Sequence, residues 1–126
     1  MDPKAKILII DDEPHLLKVI QSRLESWGFE VSCLASGTEA VNKVQEIRPD
    51  LIILDIMLPD INGYDVCYRI KSKPETSSIP IILATAKQEW QEDMGDIGRF
   101  AKADDCIPKP FEPDVLLGKI NRLLKK

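Results

Sequence analysis

The sequence predicts a three-layer α/β sandwich, a parallel sheet covered on both faces by helices. Short apolar runs alternate with segments of helical spacing along the whole chain, and right-handed crossovers then put helices on both sides. Four of the runs also end in residues that carry chemistry. Ile7-Leu8-Ile9-Ile10 leads into Asp11-Asp12, and Leu51-Ile52-Ile53-Leu54 into Asp55. Ile79 to Leu83 leads through Ala84 to Thr85, and Cys106-Ile107 through Pro108 to Lys109. In open α/β sheets the carboxyl ends of the strands form the edge where ligands bind. On that fold, three carboxylates, a hydroxyl and an ammonium meet in one cleft.

Each element has its own signal. After the first strand, Pro14 sits where a first helical turn tolerates proline, and Leu17, Ile20, Leu24 and Trp27 follow at helical spacing up to Gly28. Phe29 to Leu34 reads as the second strand. Ser36 with Glu39 forms a capping-box pattern, and Ala40, Val41, Val44 and Ile47 give the stripe of the next helix before Pro49 stops it. Leu51 to Leu54 is the third strand. Pro59-Asp60-Ile61-Asn62-Gly63 is a turn cluster. A helix from Tyr64 to Ser72 turns Val66, Cys67 and Ile70 inward, and a loop over 73–78 leads to the fourth strand, Ile79 to Leu83. Lys87 to Lys102 reads as a weaker helix, interrupted by Gly95 and Gly98 at about 1 kcal/mol each relative to Ala. The fifth strand is short, Cys106-Ile107. Pro113 opens a last helix with Val115, Leu116, Ile120 and Leu123 on one face.

Residues 1–126 fit one domain, large enough to bury about two-thirds of its unfolded surface. Net charge is −4 and the basic residues are scattered, so the domain lacks the basic stripe that direct nucleic-acid binding needs. Cys33, Cys67 and Cys106 form no close pair, which argues against a disulfide framework or a zinc site; each is expected to fill a small apolar space in a reducing compartment. No segment has the pattern of a signal peptide or the length of a membrane span, so a cytoplasmic location is expected.

Asp11, Asp12 and Asp55 together bring three negative charges. Two unit charges 4 Å apart repel by about 4 kcal/mol at an effective dielectric near 20. Such a cluster must take up protons or bind a cation, and hard oxygen donors favour Mg²⁺. Lys109 neutralises only one charge. A carboxylate beside Mg²⁺ and an ammonium suits phosphoryl transfer, with the carboxylate as nucleophile and Thr85 as a hydrogen-bond donor to a phosphoryl oxygen.

The pieces Ile10-Asp11-Asp12-Glu13, Leu54-Asp55-Ile56-Met57-Leu58-Pro59, Gly63, Thr85-Ala86 and Lys109-Pro110-Phe111, in this order and spacing, resemble the response-regulator receiver domain of two-component signalling over essentially the whole chain. The resemblance implies a flavodoxin-like (βα)5 fold with strand order 2-1-3-4-5. It implies Asp55 as phospho-acceptor, charged by a phosphohistidine on a sensor histidine kinase or a histidine phosphotransfer protein. It implies Mg²⁺ held by Asp11, Asp12, Asp55 and the backbone carbonyl of Met57, with Thr85 and Lys109 on the phosphoryl oxygens and a cis Lys109–Pro110 peptide. A downstream protein or a fused output domain then reads the phosphorylated state. The domain is a signalling receiver without separate substrate turnover, and binds neither nucleic acid nor membrane.

Plainer readings stand beside these. Asp12 can merely cap the first helix, and Asp55 can be a turn residue, but neither role explains acids after two strands together with Lys109. His15 is expected at a solvated surface rather than in a phosphorelay, and Asp104-Asp105 in a solvated turn rather than a second metal site. Tyr64, Trp90 and Phe111 fit either core or partner surface. The chain also departs from the family's pattern. Cys106 occupies the position, three before the lysine, where receivers usually carry a switching aromatic ring. Pro108 removes a backbone donor from a short strand. Lys102 stands where the family often has Gly, a steric cost if the site is left-handed. Cys106 motivates an alternative, an interaction module that works without phosphorylation. A Mg²⁺-dependent phosphatase is the third reading; such enzymes often carry a second Asp where this chain has Met57.

Overall fold

A computed structural model describes residues 4–86 and 102–125, with the side chains of 85 and 86 excepted. The strands are β1 Lys6–Ile10, β2 Glu30–Leu34, β3 Leu51–Asp55, β4 Ile81–Ala86 and β5 Asp105–Lys109. The helices are α1 Pro14–Ser26, α2 Gly37–Ile47, α3 Gly63–Lys71 and α4 Pro113–Leu124. The strands pair in parallel in the order β2-β1-β3-β4-β5, as expected for a flavodoxin-like sheet. The helix expected over 87–102 lies outside the described residues, apart from Lys102 itself.

Period-two alternation sorts the apolar runs into two cores. Leu8, Ile10, Ile52, Leu54, Ile81 and Leu83 face Ala40 and Val44 of α2 and Val66 and Ile70 of α3. Ile7, Ile9, Leu51, Ile53, Ile82 and Ile107 face Ile20 and Leu24 of α1 and Leu116, Ile120 and Leu123 of α4. Both faces of the sheet are covered, which is why the central strands are continuous hydrophobic runs rather than alternating ones.

Local chemistry sets the boundaries. The Ser36 hydroxyl accepts from the Glu39 amide at 3.2 Å and starts α2, while the Glu39 carboxylate reaches forward to Lys43 at 3.3 Å instead of back to the cap. Asn62 Oδ1 accepts from Asp65 N at 3.0 Å and starts α3. Glu13 is the N-cap of α1, so Asp12 does not cap that helix.

Four expectations need correction. β4 begins at Ile81 rather than Ile79, because the Ile79 amide donates to Thr76 O and Pro80 has no amide, although its carbonyl accepts from Ile52 N. β5 spans five residues, Pro108 included; it lies at the sheet's edge, where a missing donor is tolerated. Val115 is exposed rather than inward-facing, since Leu116, Ile120 and Leu123 form the stripe and Val115 lies about 100° around the helix from Leu116. Asp105 lies in β5 rather than in a solvated turn, and Asp104, exposed in the bend before it, is tied as well. Asp104 Oδ2 accepts from Ile81 N at 2.8 Å and meets the buried Lys71 Nζ at 2.7 Å. Asp105 pairs with Lys119 at 3.0 Å and with Arg122, fastening β5 to α4. Lys102 does adopt the left-handed conformation, with φ 65°, the strained outcome expected for a side chain in place of Gly.

The Asp105 ties make stability pH-dependent. Burial pushes its carboxyl up, but the Cys106 amide, Lys119 and Arg122 outweigh that and hold it below the ordinary range. A depressed carboxylate stabilises the fold above its unfolded pKa, about 3.9, and loses that contribution as pH falls through the folded value. Asp105→Asn is therefore expected to lose about 1 kcal/mol at pH 7 and to converge on the wild type near pH 2, as measured by urea midpoints across that range. A constant gap between the two proteins would refute the assignment.

Candidate functional site

The strand order reverses between β1 and β3, and the carboxyl ends of these two central strands open one cleft. Ile10 lies opposite Leu54, which sets Asp11 level with Asp55 on the neighbouring strand. The Asp11 amide donates to Leu34 O at 3.1 Å, which fixes its backbone between β1 and β2. Lys109 ends β5, two strands beyond β3. That separation is about 10 Å, which the lysine and aspartate side chains close by reaching toward each other. Its Nζ lies 2.8 Å from Asp11 Oδ2 and 3.2 Å from Asp55 Oδ2.

Asp11 and Asp55 are buried, at 3% and 5% exposure, whereas Asp12 is exposed at the mouth. One carboxylate oxygen from each of the three lies within 4.8 Å of the others. Burial pushes the Asp55 carboxyl up, and the Asp11 charge adds to this; the Lys109 ammonium and the Met57 amide, donating to Asp55 Oδ1 at 3.2 Å, oppose it without cancelling it. Burial also works against the Lys109 ammonium, but its hydrogen bond to Asp11 and the Asp55 charge prevail and hold it above the ordinary lysine value. Three carboxylates thus face one ammonium among the described residues. All the donors are hard oxygens with a buried charge excess, and one carboxylate is open to solvent. This set fits a hard divalent cation that keeps several waters.

The other expected residues fall as follows. Met57 exposes 62% of its surface, so any part it takes in the cleft comes through its backbone. Thr85 lies in β4 in register with Pro108, and its side chain lies outside the described atoms. The Lys109–Pro110 peptide is cis. Cys106 lies opposite Leu83 and packs, half-buried, against the α2/α3 core. Burial raises its thiol, as it raises Cys33, and pushes Cys67 up to about 12. All three stay protonated at neutral pH and pack at the cores rather than act as nucleophiles, and the Cys33 thiol also donates to Gln21 Oε1 at 3.6 Å. His15 is exposed; Tyr64 and Phe111 pack partly buried against opposite cores, and Trp90 lies outside the described residues.

Sequence reasoning passed over what braces the site. The Gly63 amide donates to Ile56 O at 2.8 Å and closes the loop after β3. Asp60, read only as part of a turn cluster, reaches the start of α2. No local pattern signals this role, because the partners lie 23 and 22 residues away in the chain.

Among the described residues no helix is long and apolar enough to cross a membrane. Residues 7–121 match the response regulator receiver domain. The chain is 39% identical over 121 residues to the phosphate regulon transcriptional regulatory protein PhoB of Rhizobium meliloti, covering 96% of this chain and 52% of that protein. It spans about half the length of the curated relatives it matches. The receiver domain of sensor histidine kinase PA1611 from Pseudomonas aeruginosa, solved with a magnesium ion in its active site cleft, superimposes with a TM-score of 0.88 at 30% identity, covering 98% of this chain and 100% of that one. The chemotaxis response regulator CheY4 of Vibrio cholerae does so with a TM-score of 0.88 at 29% identity, covering 97% and 100%. Strand order, cleft and relatives agree: the chain belongs to the receiver-domain family of two-component response regulators.

Proposed function

We infer that Asp55 accepts a phosphoryl group from a phosphohistidine, and that residues 1–126 act as a receiver domain in the cytoplasm. One observation carries this reading: Lys109 Nζ bridges Asp11 and Asp55 at 2.8 and 3.2 Å in a cleft where three carboxylates converge. Asp11, Asp12, Asp55 and the Met57 carbonyl are the proposed Mg²⁺ ligands. Bound there, Mg²⁺ supplies positive charge to the phosphoryl oxygens. An Asp55 carboxylate oxygen attacks phosphorus in line with the leaving imidazole; the new O–P bond forms as the N–P bond breaks, and the imidazole nitrogen keeps the electron pair and takes a proton. The Lys109 ammonium turns from Asp55 to a phosphoryl oxygen, and the Thr85 hydroxyl donates to another. Water later cleaves the acyl phosphate, so the chain turns over only its own modification.

The proposed partners are a sensor histidine kinase or a histidine phosphotransfer protein as donor, and a downstream protein or fused output domain as reader. No direct contact with nucleic acid or membrane is proposed. The test is incubation with acetyl phosphate and Mg²⁺ followed by peptide mass spectrometry. A single phosphoryl adduct on Asp55 is expected, abolished by EDTA and by Asp55→Asn. An intact chain that takes up no phosphoryl group rejects the reading in favour of a phosphorylation-independent interaction module.

A further inference from the structure

The loop between β3 and α3 carries Met57 and is held at two points. At its neck, Gly63 N donates to Ile56 O at 2.8 Å. At its tip, Asp60 reaches across to a different helix. Its Oδ1 accepts from Gly37 N at 2.9 Å and its Oδ2 from Thr38 N at 2.8 Å, the first amides of α2. The Thr38 hydroxyl donates to the same carboxylate, and together these donors hold the Asp60 carboxyl far below the usual range although the residue is exposed. Two free amides at a helix start are what a carboxylate binds best.

A second contact at the same place does not depend on charge. A Cβ on Gly37 would lie 2.6 Å from Ile61 Cγ1 and 2.7 Å from Val66 Cγ2. The loop tip is therefore seated directly on the first turn of α2, and Ile61 packs partly buried against the core beneath it. The helix does not need Asp60 for its own start, because Ser36 already caps it through Glu39 N. Asp60 thus serves the loop as well as the helix.

We propose that Asp60 is a positioning residue for the metal and phosphoryl site, holding the Met57 segment in place by latching the loop tip to the start of α2. The proposal rests on the function inferred above. With the latch, the loop is fixed at both neck and tip and the backbone at Met57 is presented in one geometry. Without it, the tip keeps only the Ile61 packing and the neck its hydrogen bond, so the backbone at Met57 is held less firmly before a cation binds. Partners that act through a ligand in this way typically change metal affinity by about tenfold or more.

The test compares wild type, Asp60→Ala, Asp60→Asn and Ser36→Ala, all in the full chain. Mg²⁺ affinity is read by calorimetry, and the ¹⁵N heteronuclear NOE of the Met57 and Leu58 amides is read without Mg²⁺. Asp60→Ala is expected to weaken Mg²⁺ binding about tenfold and to lower both NOE values. Asp60→Asn is expected to recover part of the affinity, since its amide oxygen can still accept one α2 amide. Ser36→Ala removes a cap from the same helix and leaves the donors and acceptors of both Asp60 hydrogen bonds in place. It is expected to lower the melting temperature by about 4 °C yet leave Mg²⁺ affinity within about twofold. Wild-type affinity and NOE values in Asp60→Ala, or an equal loss of affinity in Ser36→Ala, overturn the proposal. A wild type that ignores Mg²⁺ overturns the proposed function instead, and the NOE comparison still decides whether Asp60 holds the loop.

Discussion

Lys109→Met is expected to cost about 3 kcal/mol in the absence of Mg²⁺. The lysine is the single ammonium found in the cleft among the described residues, and it touches two carboxylates that are almost fully buried. Methionine replaces the stem but leaves Asp11 and Asp55 facing each other without compensation. Removing one partner from a buried ion pair costs 3–5 kcal/mol in general; the cleft mouth is open at Asp12, which puts this case near the lower end. The sign of the accompanying pH dependence follows from Asp55. Its folded pKa lies above its ordinary value, chiefly through burial, so the folded state holds that proton more tightly than the unfolded one. Its contribution is favourable below the unfolded pKa and is lost as pH rises through the folded one. Without Lys109 the folded value rises further, so the variant's deficit is expected to shrink between pH 7.5 and pH 5.

Urea unfolding of wild type, Lys109→Met, Asp55→Asn and the double variant at both pH values checks this. Asp55→Asn is expected to offset much of the Lys109→Met loss, because the repulsion then lacks one member. Mg²⁺ is expected to raise the melting temperature of Lys109→Met more than that of wild type, since the cation no longer competes with an ammonium. Additive effects of the two substitutions would falsify the electrostatic coupling.

The central part of this site is legible in the sequence because each strand is short, apolar and parallel. Once Ile7 to Ile10 and Leu51 to Leu54 are neighbouring strands, Asp11 and Asp55 must be level, and a lysine ending a third strand is long enough to join them. The braces are not legible, because their partners lie far apart in the chain. Asp104 finds Lys71 on α3 and Asp60 finds the amides of α2, and nothing in the local pattern of either acid distinguishes a tie from a turn. Asp105 reads as solvated beside Asp104, yet lies within an edge strand whose cations come from the next helix. The misjudged face of Val115 is a different failure. Val115 and Leu116 are apolar neighbours that the sequence does not rank, and only packing chose Leu116.

Gly63→Ala is expected to be the most damaging small substitution near the cleft. The residue sits in the first turn of α3 with an ordinary backbone conformation, so its requirement is for space, not for freedom of rotation. A Cβ there would lie 2.5 Å from Asp55 O, 2.6 Å from Ile56 Cα and 3.0 Å from Asp55 C. These are main-chain atoms of the strand end that bears the proposed phospho-acceptor, and no rotamer change relieves them. Either α3 moves outward or the Asp55–Ile56 peptide is displaced, and the Gly63 N to Ile56 O hydrogen bond is strained in both cases. Overpacking of this kind costs about 1–3 kcal/mol, and more where backbone must shift, so about 3 kcal/mol is expected here. The same substitution at Gly118, in the middle of α4 with nothing within 4 Å, is expected to stabilise by about 1 kcal/mol through helix propensity alone. Combining the two recovers part of the lost stability and leaves the displaced strand end untouched. Phosphoryl uptake measured on that double variant then separates geometry from folding. A folded double variant that is modified at the wild-type rate shows that the Asp55 backbone tolerates the intrusion, whereas slow modification of a well-folded chain shows that the bare Cα at residue 63 is part of the site.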